Sequence, residues 1–251
     1  FTAVVASLLC VSCTKPQTTL SENERPFNPP IMGWSSWNAF LVDISEDIIK
    51  HQADLMVEKG LKDAGYQYIN VDDGYFGKRD ENGVMQANEK RFPNGMKPVA
   101  DHIHSLGMKA GLYTDAGTRT CGSLWNKDSI GIGAGIYGHE PQDAQLYFGD
   151  WGFDFIKIDY CGGEVLGLDE KERYTSIRNS IDKVNKNVSI NIFRWAYPGT
   201  WAKDAATSWR ISGDINAHWN SLKYVVGKNL YLSAYAGNGH YNDMDMMVVG
   251  F

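Results

Sequence analysis

Phe153-Asp154-Phe155-Ile156-Lys157-Ile158-Asp159-Tyr160-Cys161 reads as a buried β-strand with two charges inside it. Side chains alternate along a strand, so Lys157 and Asp159 point to one side and Ile156 and Ile158 to the other. A charged pair within an apolar strand is costly unless it is satisfied or used. Two readings follow: a structural ion pair in the mouth of a barrel, or part of a catalytic site.

Working outward, short apolar strands alternate with amphipathic helices. Strands are predicted over 31–37, 66–73, 108–115, 153–160, 188–193, 208–211 and 230–234. Helices are predicted over 43–60, 98–106, 143–151, 170–184 and 221–226. The first helix carries Asp43 and Glu46 at capping-box spacing, with Ile49, Ala53 and Met56 on one face. The second is stopped by Gly107, and a long glycine-rich segment follows the third strand. Repeated strand–helix units imply a parallel sheet, either open and doubly wound or closed as a barrel. No G-x-G-x-x-G or P-loop follows the first strand, which removes the main argument for a nucleotide-binding open sheet. Polar residues recur at strand ends: Asp72-Asp73, Tyr113 with Asp115, Lys157 with Asp159, Arg194, Asp214. A barrel gathers all its strand ends on one face, and an open sheet only those at its switch point. The pattern favours a (β/α)8 TIM barrel.

Asp72 and Asp73 are adjacent carboxylates that need donors, and sugar hydroxyls are donors; helix capping is the plainer role. Arg210 and Asp214 near one strand end read as a surface ion pair, or as a carboxylic acid held protonated by its surroundings, half of a glycosidase pair. Asp243-Met244-Asp245 is a D-x-D that in a sugar-nucleotide transferase would hold a divalent cation, but no nucleotide site accompanies it. Asp101-His102-Ile103-His104 looks like a metal motif, yet residues two apart on a helix do not share a face.

The net charge of −6 argues against nucleic acid or an anionic membrane as partner. Aromatic residues make up 12% of the chain, which serves a large core or the apolar faces of sugar rings. The apolar stretch before Cys13 has signal-peptide length, and small residues and a cysteine close it. It resembles a bacterial lipoprotein leader with Cys13 lipidated, although Cys10 stands where such leaders usually carry Leu. Half a zinc site at Cys10-x-x-Cys13 has no second half at suitable spacing. The reading predicts an exported protein, periplasmic or anchored in the outer membrane through its lipid, with residues 1–26 as leader and linker and 27–251 as the catalytic barrel. The chain starts at Phe1 and stops at Phe251 after an apolar run, which predicts a fragment whose barrel is incomplete at its C-terminus and which folds poorly or is inactive alone.

The chain resembles glycoside hydrolase family 27, the α-galactosidase family, from Pro30 to Gly250. The matching segments are Met-Gly-Trp-Ser-Ser-Trp-Asn (32–38), Asn-Val-Asp-Asp-Gly (70–74), Gly-Leu-Tyr-Thr-Asp-Ala-Gly with Thr-Cys after it (111–121), Phe-Ile-Lys-Ile-Asp-Tyr-Cys (155–161), Trp-Arg-x-x-x-Asp-Ile (209–215) and Tyr-Asn-Asp-x-Asp-Met (241–246). In this order they are highly specific. The resemblance implies a (β/α)8 barrel followed by a β-sandwich. It implies Asp159 as nucleophile and Asp214 as acid/base, with their carboxyls about 5–5.5 Å apart as retention requires. It puts sugar contacts on Trp37, Asp72, Asp73, Tyr113, Lys157 and Arg210, with Asp245 and Met246 lining the same pocket. Lys157 is expected to keep Asp159 ionised. Cys121 and Cys161 match a disulfide beside the nucleophile. The substrate implied is a terminal α-galactoside, and the chemistry needs no metal or organic cofactor. Relatives acting on β-L-arabinopyranosides or α-N-acetylgalactosaminides are the alternatives, as is a glycan-binding surface lipoprotein without catalysis. Both catalytic positions are filled, which speaks against the last. No signal for an oligomeric state is present. One departure stands out: the family's Cys-Glu-Trp after the fifth strand is Phe193-Arg194-Trp195 here, so Arg194 reverses the charge expected at the sugar's 2-hydroxyl.

Overall fold

The computed structural model describes residues 29–248. The expected leader, linker and lipidated Cys13 lie outside these residues. The strands are β1 (Gly33–Ser35), β2 (Tyr68–Asn70), β3 (Phe76–Arg79), β4 (Met85–Ala87), β5 (Lys109–Asp115), β6 (Phe155–Asp159), β7 (Ser189–Phe193), β8 (Ser208–Arg210) and β9 (Tyr241–Asp243). The helices are α1 (Trp37–Phe40), α2 (Glu46–Glu58), α3 (Lys97–Ser105), α4 (Cys121–Trp125), α5 (Glu140–Ala144), α6 (Cys161–Val165), α7 (Glu170–Asp182), α8 (Ala202–Ala205) and α9 (Trp219–Leu232).

One parallel sheet runs β1-β2-β5-β6-β7-β8-β9. The spatial order follows the chain order, so there is no switch point and the winding is that of a barrel rather than an open sheet. The sheet curls. Asn191 of β7 reaches past β8 to donate to Asp243 of β9 at 2.8 Å, and Lys157 of β6 reaches past β5 to Asp72, just after β2. The result is a curled half-barrel of parallel strands. Every residue of β6 and of β7 is buried, as strands covered on both faces must be. Ile156, Ile158, Ile190 and Ile192 join the core under the helices, while Lys157, Asp159, Asn191 and Phe193 occupy the opposite face.

Local chemistry sets the helices. Ser45, not Asp43, caps α2 by accepting from Ile48 N; the extended backbone of Ser45 aims its hydroxyl at the open first turn. Ile49, Ala53 and Met56 form the buried stripe of α2 as its spacing predicts. Asp169 caps α7 by accepting from Glu172 N at 2.8 Å, and Tyr174, Ile177 and Ile181 bury its inner face.

Two further local expectations are corrected. The predicted strand 230–234 is helical: α9 runs on to Leu232, and the strand that pairs with β8 is β9, after the Gly237-Asn238-Gly239 turn. An unbroken apolar run has no period that tells strand from helix, and no breaker stands before Gly237. The predicted helix 143–151 begins earlier, at Glu140 with Pro141 in its first turn, and passes into a π-helical turn over Gln145–Asp150. The antiparallel hairpin of β3 and β4, for which no element was predicted, turns at Asn82-Gly83, with Gly83 at φ +79°. Arg79 of that hairpin pairs with Asp143 at 2.7 Å and donates to the carbonyls of Gly83 and Gly135, tying the hairpin to the long glycine-rich loop.

Candidate active site

The C-terminal ends of the strands surround a cavity of about 810 Å³. Its floor is made by β5 and β6. In register, Tyr113 pairs with Lys157 and Asp115 with Asp159. Asp159 is 4% exposed, and its Oδ1 has no hydrogen-bond partner. Lys157 Nζ stands 3.0 Å from Asp72 Oδ2 and 3.9 Å from Asp159 Oδ2. It lies over the ring of Phe193 at 3.9 Å and within 5.8 Å of those of Tyr113 and Trp37. Asp72 is held by Ser35 Oγ, which donates at 3.2 Å, and by the backbone N–H of Asp73.

Burial favours the neutral amine of Lys157, but the Asp72 and Asp159 carboxylates outweigh it and hold the lysine above its ordinary range. Burial also pushes Asp159 well above the usual carboxylate range, with Lys157 the largest opposing influence. The lysine draws Asp159 toward the ionised form but does not outweigh burial, which corrects the expectation that Lys157 keeps Asp159 ionised. Tyr113 is kept a phenol by its own burial and accepts from Cys121 N at 3.2 Å.

The facing wall comes from the segments after β8 and β9. Fully buried Arg210 donates to Asp214 Oδ1 at 3.0 Å, forms an ion pair with Asp245 Oδ1 at 3.0 Å, and stacks on Phe193 at 4.2 Å. Asp245 has φ +87°, an unusual conformation for a residue with a side chain. Its carboxylate accepts from Ile215 N and Met246 N, both at 2.7 Å, and burial raises it to about 6 against the pull of Arg210. Both carboxylates of the D-x-D are thus engaged, since Asp243 accepts from Asn191 and from Asp245 N.

The cavity brings together Trp37, Asp72, Tyr113, Lys157, Asp159, Asp214, Asp245 and Met246. Four expectations change. Asp214 is not enclosed: its side chain is 67% exposed, because the guanidinium it bonds lies beneath it. Arg210 is a support under the wall rather than part of the lining. Asp73 sits under the floor, fully buried, accepting from Gly122 N at 2.8 Å, and burial raises it to about 6. Arg194 turns out of the cavity to pair with Glu170 and Glu164. Strand alternation carries the reason for the last: Phe193 and Trp195 face the cavity, so the residue between them faces away. The other lining residues that sequence reasoning missed, among them Leu124, Trp125, Glu164 and Val165, sit on short helices after strand ends and carry no period of their own.

Cys121 and Cys161 form a disulfide, with Cα atoms 5.2 Å apart, beside Asp159. It joins the first residues of α4 and α6. The segment after β5 and the start of α6 approach so closely that a Cβ on Gly117 would lie 2.0 Å from the carbonyl carbon of Gly162. Asp115 seals this contact by accepting from Gly117 N and Gly162 N. Asp115 and the two cysteine sulfurs lie within 4.8 Å of one another, but oxidised sulfurs offer no thiolates to a metal.

The family profile described as Alpha galactosidase A matches residues 29–251. An alpha-galactosidase A of Cellvibrio japonicus is 40% identical over 247 residues, covering 93% of this chain and 58% of the relative. An alpha-galactosidase of Cyamopsis tetragonoloba is 42% identical, covering 92% of this chain and 54% of the relative. The solved α-galactosidase of Saccharomyces cerevisiae with raffinose superposes with a TM-score of 0.77 at 31% identity, over 86% of this chain and 52% of that one. The chain spans a little over half the length of the curated relatives it matches.

Proposed function

The chain belongs to the alpha galactosidase A family, and on that premise we propose that the full-length protein is a retaining exo-glycosidase that removes terminal α-galactosyl residues. The observation that carries the reading is one cavity lined by both Asp159 and Asp214, from different strand ends. Asp159, through its unpartnered Oδ1, attacks the anomeric carbon and forms a glycosyl-enzyme intermediate. Asp214 gives its proton to the leaving oxygen and then activates water for the second displacement. Arg210, which donates to Asp214 and is ion-paired with Asp245, fixes the direction of the acid/base carboxyl. Asp72 accepts from sugar hydroxyls at the floor and Trp37 and Tyr113 bound the ring. The apolar leader ending at Cys13 supports export and lipid anchoring, and the Cys121–Cys161 disulfide is compatible with an oxidising compartment.

The test is hydrolysis of an aryl α-galactoside by the full-length protein, followed by NMR of the first anomer released. α-Galactose first is the expected outcome, and β-galactose first would sink the double displacement. Asp159→Ala should lower turnover on the order of a thousandfold or more. Activity near the parent rate would mean that Asp159 is not the nucleophile.

A further inference from the structure

The cavity grades from a closed floor to an open rim. Tyr113, Asp159 and Asp72 are at most 4% exposed, whereas Trp125 is 76% exposed and Val165 59%. Trp125 ends α4 and Val165 ends α6, the two short helices whose first residues the disulfide joins. Leu124, next to Trp125 in α4, lines the same cavity as the disulfide and the indole. An indole left this open on a pocket wall is an apolar surface waiting for a flat partner.

The helix that carries Trp125 is anchored through its backbone. Thr120 caps α4 by accepting from Ser123 N at 3.2 Å, Gly122 N donates to buried Asp73 at 2.8 Å, and Asn126 N closes the helix onto Gly122 O at 2.9 Å. An aromatic side chain carried on an anchored helix leaves only its own two torsions to be fixed when something lies against it.

We propose that Trp125, with Leu124 and Val165, forms a leaving-group subsite for the sugar from which the terminal galactosyl unit is cut. The proposal rests on the galactosidase reading. That reading seats the galactosyl ring on the floor at Asp159, so the part of the substrate that emerges past the rim is the leaving group. A pyranose offers a hydrophobic C–H face to the indole. Its hydroxyls can meet the carboxylate of Glu164, which is ion-paired with Arg194 at 3.7 Å through Oε2 and whose side chain is 63% exposed. The occupant is therefore a neutral sugar unit, continuous with the ring on the floor.

The experiment is calorimetric binding to the full-length protein in an Asp159→Asn background, with galactose and raffinose as the two ligands. Trp125→Ala should weaken raffinose about tenfold while galactose changes less than about twofold, and Trp125→Phe should retain most of the raffinose affinity. Equal weakening of both ligands overturns the proposal and makes Trp125 part of the wall's structure. No change in either also overturns it, and leaves the rim to another macromolecule. Absence of raffinose binding to the parent overturns it as well. Turnover of an aryl galactoside by the protein with Asp159 intact reports separately on the galactosidase reading: raffinose binding that depends on Trp125 without turnover by that protein removes the reading and overturns the leaving-group role with it, whereas turnover without such binding overturns the subsite alone.

Discussion

Lys157 Nζ is 3.0 Å from Asp72 Oδ2, closer than it is to the carboxylate of Asp159 on its own strand. The lysine thus ties a floor residue from the end of β2 to the end of β6, with the whole of β5 between them. It neutralises one carboxylate of the floor and favours ionisation of the other.

This sets a pH dependence. Lys157 lowers the Asp159 carboxyl against the effect of burial. Lys157→Met should therefore move the acid limb of kcat/KM to higher pH, since the nucleophile must lose its proton. Rates on an aryl α-galactoside across the acid range check this; an unmoved or lowered limb would contradict it.

Arg194 makes a different point. It faces Glu170 and Glu164 and not the cavity, so Arg194→Ala should change kcat/KM on aryl α-galactosides by no more than about threefold. A larger loss, confined to substrates that carry a 2-hydroxyl, would put Arg194 back at the sugar.

Asp115 should govern part of the pH dependence of stability. Burial raises it from 3.8 to about 7, despite the N–H groups of Gly117 and Gly162. A raised carboxyl contributes stability that is full below the unfolded value, about 4, and is lost as pH climbs through about 7. Asp115→Asn keeps an acceptor without the charge. Its denaturation midpoint should therefore fall less than the parent's between pH ~4.5 and ~8. Asp73 and Asp245, each raised to about 6, leave a residual slope. An unchanged slope in the variant would remove Asp115 from this role.

The disulfide spans a sequence separation of 40 residues, so removing it with Cys121→Ser/Cys161→Ser should cost about 4 kcal/mol in unfolding free energy. Chemical denaturation of the full-length protein measures it, and a loss below about 1 kcal/mol would show that the surrounding contacts hold α4 and α6 together without it.

Much of this was legible in the chain because it is local. Alternation in β6 put Lys157 and Asp159 on one side, and a period near four put Ile49, Ala53 and Met56 under α2. Arg194 lies just past the end of β7, where the family motif places a sugar contact, and only the structure shows it paired with Glu170 and Glu164. The run 230–234 failed for a reason of the same kind: its residues are apolar without a period, and only pairing with β8 identifies the strand at Tyr241–Asp243.

The sequence by itself determined the succession of strands and helices, the placing of carboxylates at strand ends and the identity of Asp159 and Asp214 as the pair to consider. Those follow from side-chain period and from the cost of charge in apolar strands. Only the tertiary structure decided which neighbour each charge has. It gave Lys157 to Asp72, set Arg210 beneath Asp214, took Asp73 under the floor and left Trp125 open at the rim. These depend on how far the sheet curls and on how closely the glycine-lined segments pack, and no local pattern encodes either.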